Sequence, residues 1–494
     1  MLSPRQILLF CLVGCAGFAI ASATAEGPFS VMSPVVAEYA AGFMSIQEAE
    51  SEDLLRHLVE GEMSGRGTGQ EGYLLAARWF ANQLESYGFQ PAATDGSWFQ
   101  NVPFIKLSTT PDQCGFKIEN EVLIQGNALG ISDYAGTFES TLPATFVTVV
   151  DQRPEIADGF CEGRLLVIQS SGRISWDDAF ILKARPACLL VVAEVSRVRN
   201  EAVNQSEKTP STIPVAMVSR EAANALAARC GARPDFFGQE KSASNLIVSS
   251  TQVVNCRLHI ERESIDVPNV IGWYPGSDES IRHEHICVGA HLDHLGIQRG
   301  DLFPGADDNG SGSAAILQVA KAIHTNPVKP RRSVLLMAFC AEERGLLGSK
   351  HYVANPVKPL SDMICMLNID MIGRDEESAA EAAAANKTSI HLVGSKDHSA
   401  ELQSTIEKAN ESVGFTFEYD EEHRVDGRSD HASFSEKGIP VAFLFGGFNP
   451  HYHKPSDTMD GINFSKIANA ARLDYLVLMM AAEHGRFKMD DKAK

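Results

Sequence analysis

Residues 286–294, ICVGAHLDH, and residues 334–345, VLLMAFCAEERG, share one layout: an unbroken apolar run that ends in His, Asp or Glu. Continuous apolar runs of this length read as strands buried on both faces, the habit of a parallel sheet covered by helices. The rhythm recurs on the C-terminal side. Further runs stand at 363–367, 390–393 and 440–445, with helical spacing at 311–323, 345–354, 399–413 and 429–437. Strands alternating with helices predict an α/β fold, a mostly parallel central sheet flanked by helices. In such a sheet the carboxyl ends of the strands line one crevice, where ligands bind. His291 and Asp293 follow the first run, Glu342 and Glu343 the second, and Asp370 the third. His453 comes after 440–445 and a Gly-rich loop, while Asp307 and Asp308 sit in another Gly-rich loop directly before a helix.

The N-terminal half reads differently. Helical spacing at 52–58 and 72–87 is interrupted by Gly65-Arg66-Gly67-Thr68-Gly69, and Leu74, Ala77, Phe80, Ala81 and Leu84 form one apolar stripe that Gly88 closes. The Gly run lacks the Lys and the preceding strand of a phosphate-binding loop, so it reads as a turn. From about 110 to 250 short strands dominate, at 144–150, 165–169, 189–192 and 214–218, with helices at 175–184 and 220–229. The polar stretches 197–211 and 231–244 read as exposed loops, and the Ala-rich stretch 379–385 as a surface insertion. A last helix at 467–484 turns Leu473, Leu476, Val477 and Met480 toward the core. The expected organisation is a first catalytic segment at 46–110, a β-rich insertion at 111–244, a second catalytic segment at 245–486 and a charged tail at 487–494.

The 494 residues carry 43 Lys+Arg against 63 Asp+Glu, a formal charge of −20, which argues against a nucleic-acid partner. Residues 1–25 read as a signal peptide: Arg5, an apolar stretch at 7–20, then Ala21-Ser22-Ala23 and Ala23-Thr24-Ala25. Secretion or a periplasmic location follows. Leu12-Val13-Gly14-Cys15 supports a second reading, a lipoprotein anchored through Cys15. No later stretch is long and apolar enough to span a membrane. Eight cysteines remain beyond residue 25, none in a C-x-x-C pair; Cys188, Cys287, Cys340 and Cys365 stand in apolar runs, and pairing stays open.

His and carboxylate without Cys suit a hydrolytic zinc site. Two His with three carboxylates are too many for one catalytic zinc that keeps an open position. They fit two metals, about 3.5–4 Å apart, sharing a bridging carboxylate. A further carboxylate is then needed to move the proton of the attacking water. Glu342 and Glu343 can divide those roles, one facing metal and the other water.

Several motifs stand in order: EMSGRGTGQEGYLLAARWFANQLESYGFQP (62–91), PNVIGWYPG (268–276), VGAHLDHLG (288–296), PGADDNGSGSAAILQVAKAI (304–323), AEERGLLGS (341–349), LNIDMIGR (367–374), RSDHASFSEKGIPV (428–441) and YHKPSDT (452–458). Over about residues 46–485 this series resembles the co-catalytic di-zinc metallo-aminopeptidases of the bacterial leucyl aminopeptidase, glutamate carboxypeptidase and transferrin receptor type. The resemblance implies two Zn2+ per chain held by His291, Asp308, Glu343, Asp370 and His453, with Asp308 bridging. It implies Glu342 as general base, Asp293 as the carboxylate orienting His291, and Tyr452 at the oxyanion. Asp307 then reads as a cap for the helix after it, Asp430 and Asp457 as supporting or capping residues, and His294, His431 and His451 as non-ligands. Residues 161–192 and 211–226 resemble a protease-associated domain inserted into the catalytic one.

The implied activity is that of an exported aminopeptidase acting on peptide substrates. A glutamate carboxypeptidase-like hydrolase is the alternative, and it would need Arg374 or Arg428 for a substrate carboxylate. A receptor-like relative would have lost ligands.

Overall fold

The computed structural model describes residues 29–490 except 64, 110–112, 132–136, 151, 172–173, 175–176, 195–200, 206–211, 239–244, 299 and 420–426. The expected signal peptide, Cys15 and the last four residues of the tail lie outside the described residues. Among the described residues no helix is long and apolar enough to cross a membrane.

Strands His285–His291, Ser333–Phe339 and Met363–Asp370 are buried at every position. Successive side chains of a strand point to opposite faces, and each face meets helices here. Ile286, Val288 and Ala290 pack with helices Gly312–Thr325 and Phe464–Glu483. Cys287, Leu335 and Met337 pack instead with Tyr352 and Phe434, from helices Leu347–Ala354 and His431–Ser435. Each buried Ile, Val, Leu, Met or Phe among them contributes about 1.5–3 kcal/mol by leaving water.

The sheet runs Thr416–Glu418, Ser389–Val393, Val441–Phe445, Met363–Asp370, His285–His291, Ser333–Phe339, Glu261–Tyr274, Phe99–Ser108, Glu201–Gln205. The four strands from Val441–Phe445 to Ser333–Phe339 are mutually parallel. Outside them Glu261–Tyr274, Phe99–Ser108 and Glu201–Gln205 pair antiparallel, as does Ser389–Val393 with Val441–Phe445. The expected mostly parallel sheet is therefore a parallel centre with antiparallel flanks, and the parallel centre carries the crevice.

A second sheet of eight strands forms the insertion, with the core Phe146, Leu165, Val167, Leu190 and Leu226. Two expectations change here. Strand Leu246–Leu258 pairs with Phe138–Val149 across ten residue pairs, so the insertion's sheet runs past the expected edge at 244. Residues 201–205, expected in a loop, form the outermost strand of the catalytic sheet, paired with Phe99–Ser108. All eight cysteines beyond residue 25 are free and buried. Burial pushes the thiols of Cys188, Cys287 and Cys340 well above their ordinary range, which leaves them inert.

The last helix buries Asp474, and burial pushes its carboxyl up to about 8. In an unfolded chain that group titrates near about 4. Between those values folding takes up a proton, so stability falls as pH rises and levels off above the folded value. Asp474→Asn is expected to raise the thermal midpoint more at about pH 8 than at about pH 5; an equal shift at both would refute it. Helix Leu347–Ala354 starts hard against the end of strand Ser333–Phe339, where Asn269 bonds both Cys340 N and Gly348 O at 3.0 Å. A Cβ on Gly348 would overlap the Cys340 carbonyl and the Asn269 amide. Gly348→Ala is expected to cost about 1–3 kcal/mol in urea unfolding.

Candidate metal centre

His291 ends its strand with a side chain 1% exposed. Its Nε2 lies 3.2 Å from Asp370 Oδ1 and 3.5 Å from Asp308 Oδ1, with Glu342 Oε2 at 3.9 Å. His453 stands across the crevice. Its Nε2 lies 3.1 Å from Glu343 Oε2 and 3.2 Å from Asp308 Oδ2. Asp308 thus turns one oxygen toward each imidazole, and the five expected ligands converge on two adjoining clusters. Donor separations of 3.1–3.5 Å match the edges of a tetrahedron around an ion with ligands at about 2.0–2.2 Å.

The charges are crowded. Burial disfavours a charged His453 ring, but Asp308 and Glu343 outweigh it and push its pKa up to about 10. Burial, reinforced by Glu343, raises Asp308, and burial holds Glu342 well above the usual carboxylate range. Bound divalent cations would relieve these carboxylates. Tyr452 stacks on His453 with ring centroids 3.8 Å apart, and burial, then the carboxylates, push its phenol well above its ordinary value. Its O–H therefore stays a donor at neutral pH.

Supporting contacts set the loops. Arg66, from the Gly-rich run, is buried and donates to the carbonyls of Leu58, Leu292, Pro304 and Gly305 at 2.7–3.0 Å. It ties the first helical segment to both metal loops. Asp457 accepts from the backbone N–H of Asp307 at 3.0 Å and of Asp308 at 3.2 Å, and from Arg374 Nε at 3.0 Å. Ala341, Met371 and His453 hold φ of 54°, 52° and 55°. Left-handed backbone at non-glycine residues costs about 1–3 kcal/mol each and gathers at functional sites.

Three expectations are revised. Asp307 caps no helix: its Oδ1 accepts from Gly373 N at 2.6 Å and Arg374 N at 3.0 Å, and its Oδ2 from Asn449 at 2.9 Å. Asp293 meets His291 Nδ1 through its main-chain oxygen at 3.0 Å, while its carboxylate accepts from Thr68 at 2.9 Å and from Glu342 N at 3.0 Å. His294, read as a non-ligand, is buried with Nδ1 2.9 Å from Glu343 Oε1 and 3.6 Å from Asp308 Oδ2. Neither His294 nitrogen nor Glu343 Oε1 meets hydrogen-bond geometry among the described residues, as donors awaiting an ion would stand. The clue is the second histidine of HLDH, three residues after His291 and just past the same strand. His431 stacks on Phe443 at 4.4 Å with burial lowering its pKa to about 3, and His451 bonds Ser456 at 3.0 Å.

Met371, Phe443, Phe445, Phe448 and Tyr452 wall a cavity that opens onto Asp308, Glu342, Asp370 and His453, with Arg428 at its mouth. Arg374 is committed elsewhere, donating to Asp457, Thr458 O and Asp460 O.

Residues 269–477, which carry every residue of both clusters, match the model of peptidase family M28. The chain aligns at 30% identity over 236 residues with leupeptin-inactivating enzyme 1 of Streptomyces exfoliatus, covering 43% of this chain and 48% of that one. It aligns at 32% over 234 residues with aminopeptidase YwaD of Bacillus subtilis, covering 46% of each. The chain spans about half the length of the curated relatives it matches. Among solved structures, BSAP, a zinc aminopeptidase from Bacillus subtilis, superposes with a TM-score of 0.59 at 18% identity, over 91% of this chain and 99% of that one. An aminopeptidase from Aneurinibacillus sp. strain AM-1 superposes with a TM-score of 0.56 at 20% identity, over 92% and 97%. The α/β architecture is thus a fold these aminopeptidases share.

Because Asp308 faces both clusters, its loss should differ in kind from the loss of a residue facing one. Asp308→Ala is expected to lower the bound metal further than Asp370→Ala does, as counted by metal analysis of the dialysed protein. Equal losses in the two variants would contradict the shared arrangement.

Proposed function

We propose that the chain is an exported di-zinc aminopeptidase that removes N-terminal residues from peptides. The observation that carries the reading is Asp308, with one oxygen toward His291 and the other toward His453, beside a carboxylate, Glu342, that neither ligand set requires. The likeness to proteins named zinc aminopeptidases supports the choice of metal and reaction. Zinc held by His291, Asp308 and Asp370 and by His453, Asp308 and Glu343 would supply Lewis-acid polarisation of the scissile carbonyl and acidify water in the crevice.

The residues around them do the rest. Glu342, anchored by its own N–H to Asp293, takes the proton of the attacking water and returns it to the departing amine. Burial raises its pKa, which favours the protonated form it must adopt before returning the proton. Tyr452 O–H donates to the oxygen on which negative charge develops. The acidic rim holds the substrate's free amino group, and the aromatic wall of Phe443, Phe445 and Phe448 receives an apolar side chain. Arg428 at the mouth favours the carboxypeptidase alternative as second reading, since it could meet a substrate carboxylate.

Purified protein should turn over aminoacyl-nitroanilides and leave N-blocked and glutamyl-dipeptide substrates untouched; the reverse preference would install the second reading. Glu342→Gln is expected to keep its zinc content and lose about 100- to 10,000-fold in kcat. A variant with normal turnover would remove Glu342 from its role.

A further inference from the structure

Outside the metal centre, a second place brings two carboxylates onto one imidazole. His391, on strand Ser389–Val393, is 2% exposed. Its Nε2 lies 2.9 Å from Glu376 Oε2 and 3.6 Å from Glu418 Oε2. Glu376 comes from the loop after strand Met363–Asp370, and Glu418 from the neighbouring edge strand Thr416–Glu418. One ligand atom from each lies within 4.8 Å of the other two.

A single nitrogen carries at most one hydrogen, so His391 Nε2 can donate to only one of these carboxylates. The other faces a like charge in a half-buried setting, with side-chain exposures of 18% for Glu376 and 27% for Glu418. The nearby cation does not resolve this. Lys466 is fully buried, and its three N–H groups reach the carbonyls of Arg374 and Asn386 at 3.3 Å and of Gly446 at 3.4 Å. Asp375 lies 3.9 Å from the same ammonium, whose charge is shared among Asp375, Asp307, Glu418 and Glu376. The arrangement repeats the one at His291, where Asp308 and Asp370 stand 3.5 and 3.2 Å from one Nε2.

We propose that Glu376, His391 and Glu418 bind a third divalent cation, separate from the two at the catalytic crevice. An imidazole with two carboxylates and an open side toward solvent suits zinc, since calcium and magnesium favour all-oxygen shells. The ion would brace the wall of the substrate cavity. Glu377 N bonds Phe448 O and Gly446 N bonds Met371 O, both at 3.0 Å, so the Glu376 loop is laced to the cavity wall. A Cβ on Gly447 would come within 2.5 Å of Glu376 Cβ, and the His391 ring lies 5.6 Å from that of Phe445. The cation site rests on this geometry and holds whether or not the peptidase reading does, while the bracing role rests on that reading.

Crystals of the full chain grown with zinc, measured on both sides of the zinc absorption edge, test it directly. An anomalous peak among the three side chains is expected, and no peak there overturns the site. In solution, metal analysis after dialysis should count three zinc ions in the wild-type chain and two in Glu376→Gln/Glu418→Gln. A count that does not fall in the variant also overturns it. With the third ion gone, aminoacyl-nitroanilide KM should rise several-fold at nearly constant kcat, and unchanged KM would overturn the bracing role. If the double variant is insoluble, the anomalous measurement on wild-type protein still decides.

Discussion

Asp308 has only two oxygens, and each faces a different imidazole across the crevice. Around that one side chain stand Glu342, Glu343 and Asp370, with His291, His294 and His453. Burying carboxylates side by side is among the costliest things a protein interior can do unless cations compensate. The surrounding structure is arranged to hold that crowd in place. The buried Arg66 clasps the loop before Asp308 and the loop after His291 to the first helical segment. Asp457 and Arg374 form an ion pair at 3.0 Å that fixes the N–H groups on either side of Asp307. Strained backbone at Ala341, Met371 and His453 persists because these contacts over-determine it.

The sheet explains why such an arrangement can be built. Four parallel strands end on one rim, each followed by a loop free to carry chemistry while its strand stays packed on both faces. The antiparallel flanks do other work. On one side Phe99–Ser108 and Glu261–Tyr274 lead into and out of the insertion, which returns the strand Glu201–Gln205 to the catalytic sheet. On the other, Ser389–Val393 and Thr416–Glu418 stand behind the aromatic wall and place His391 beside Glu418.

Much of this was legible from residue order. The buried strands and the helices between them followed from uninterrupted apolar runs, and helix 220–229 was read to the residue. The misses have a common cause. Residues 201–205 are polar and short, and their pairing partner lies about a hundred residues upstream, so no local pattern marks them. The expected edge at 244 leaves strand Leu246–Leu258 on the catalytic side, because no local pattern names the sheet a strand joins. Asp307 and His294 failed differently. A carboxylate before a helix has a frequent local use, and a histidine beside motif residues has a frequent bland one; only the folded loops decided otherwise.

What the sequence by itself determined is the inventory: which strands are buried, which carboxylates and histidines stand at their carboxyl ends, and hence that they meet at one rim. That much is local, because burial and side-chain direction follow from period and position. Tertiary structure alone decided which oxygen faces which nitrogen, that Asp293 steers Glu342 by its carboxylate and His291 by its carbonyl, and that Glu376, His391 and Glu418 converge. Those outcomes depend on loop paths and long-range packing, where shifts of an ångström separate a hydrogen bond from a ligand, and no short stretch of sequence encodes them.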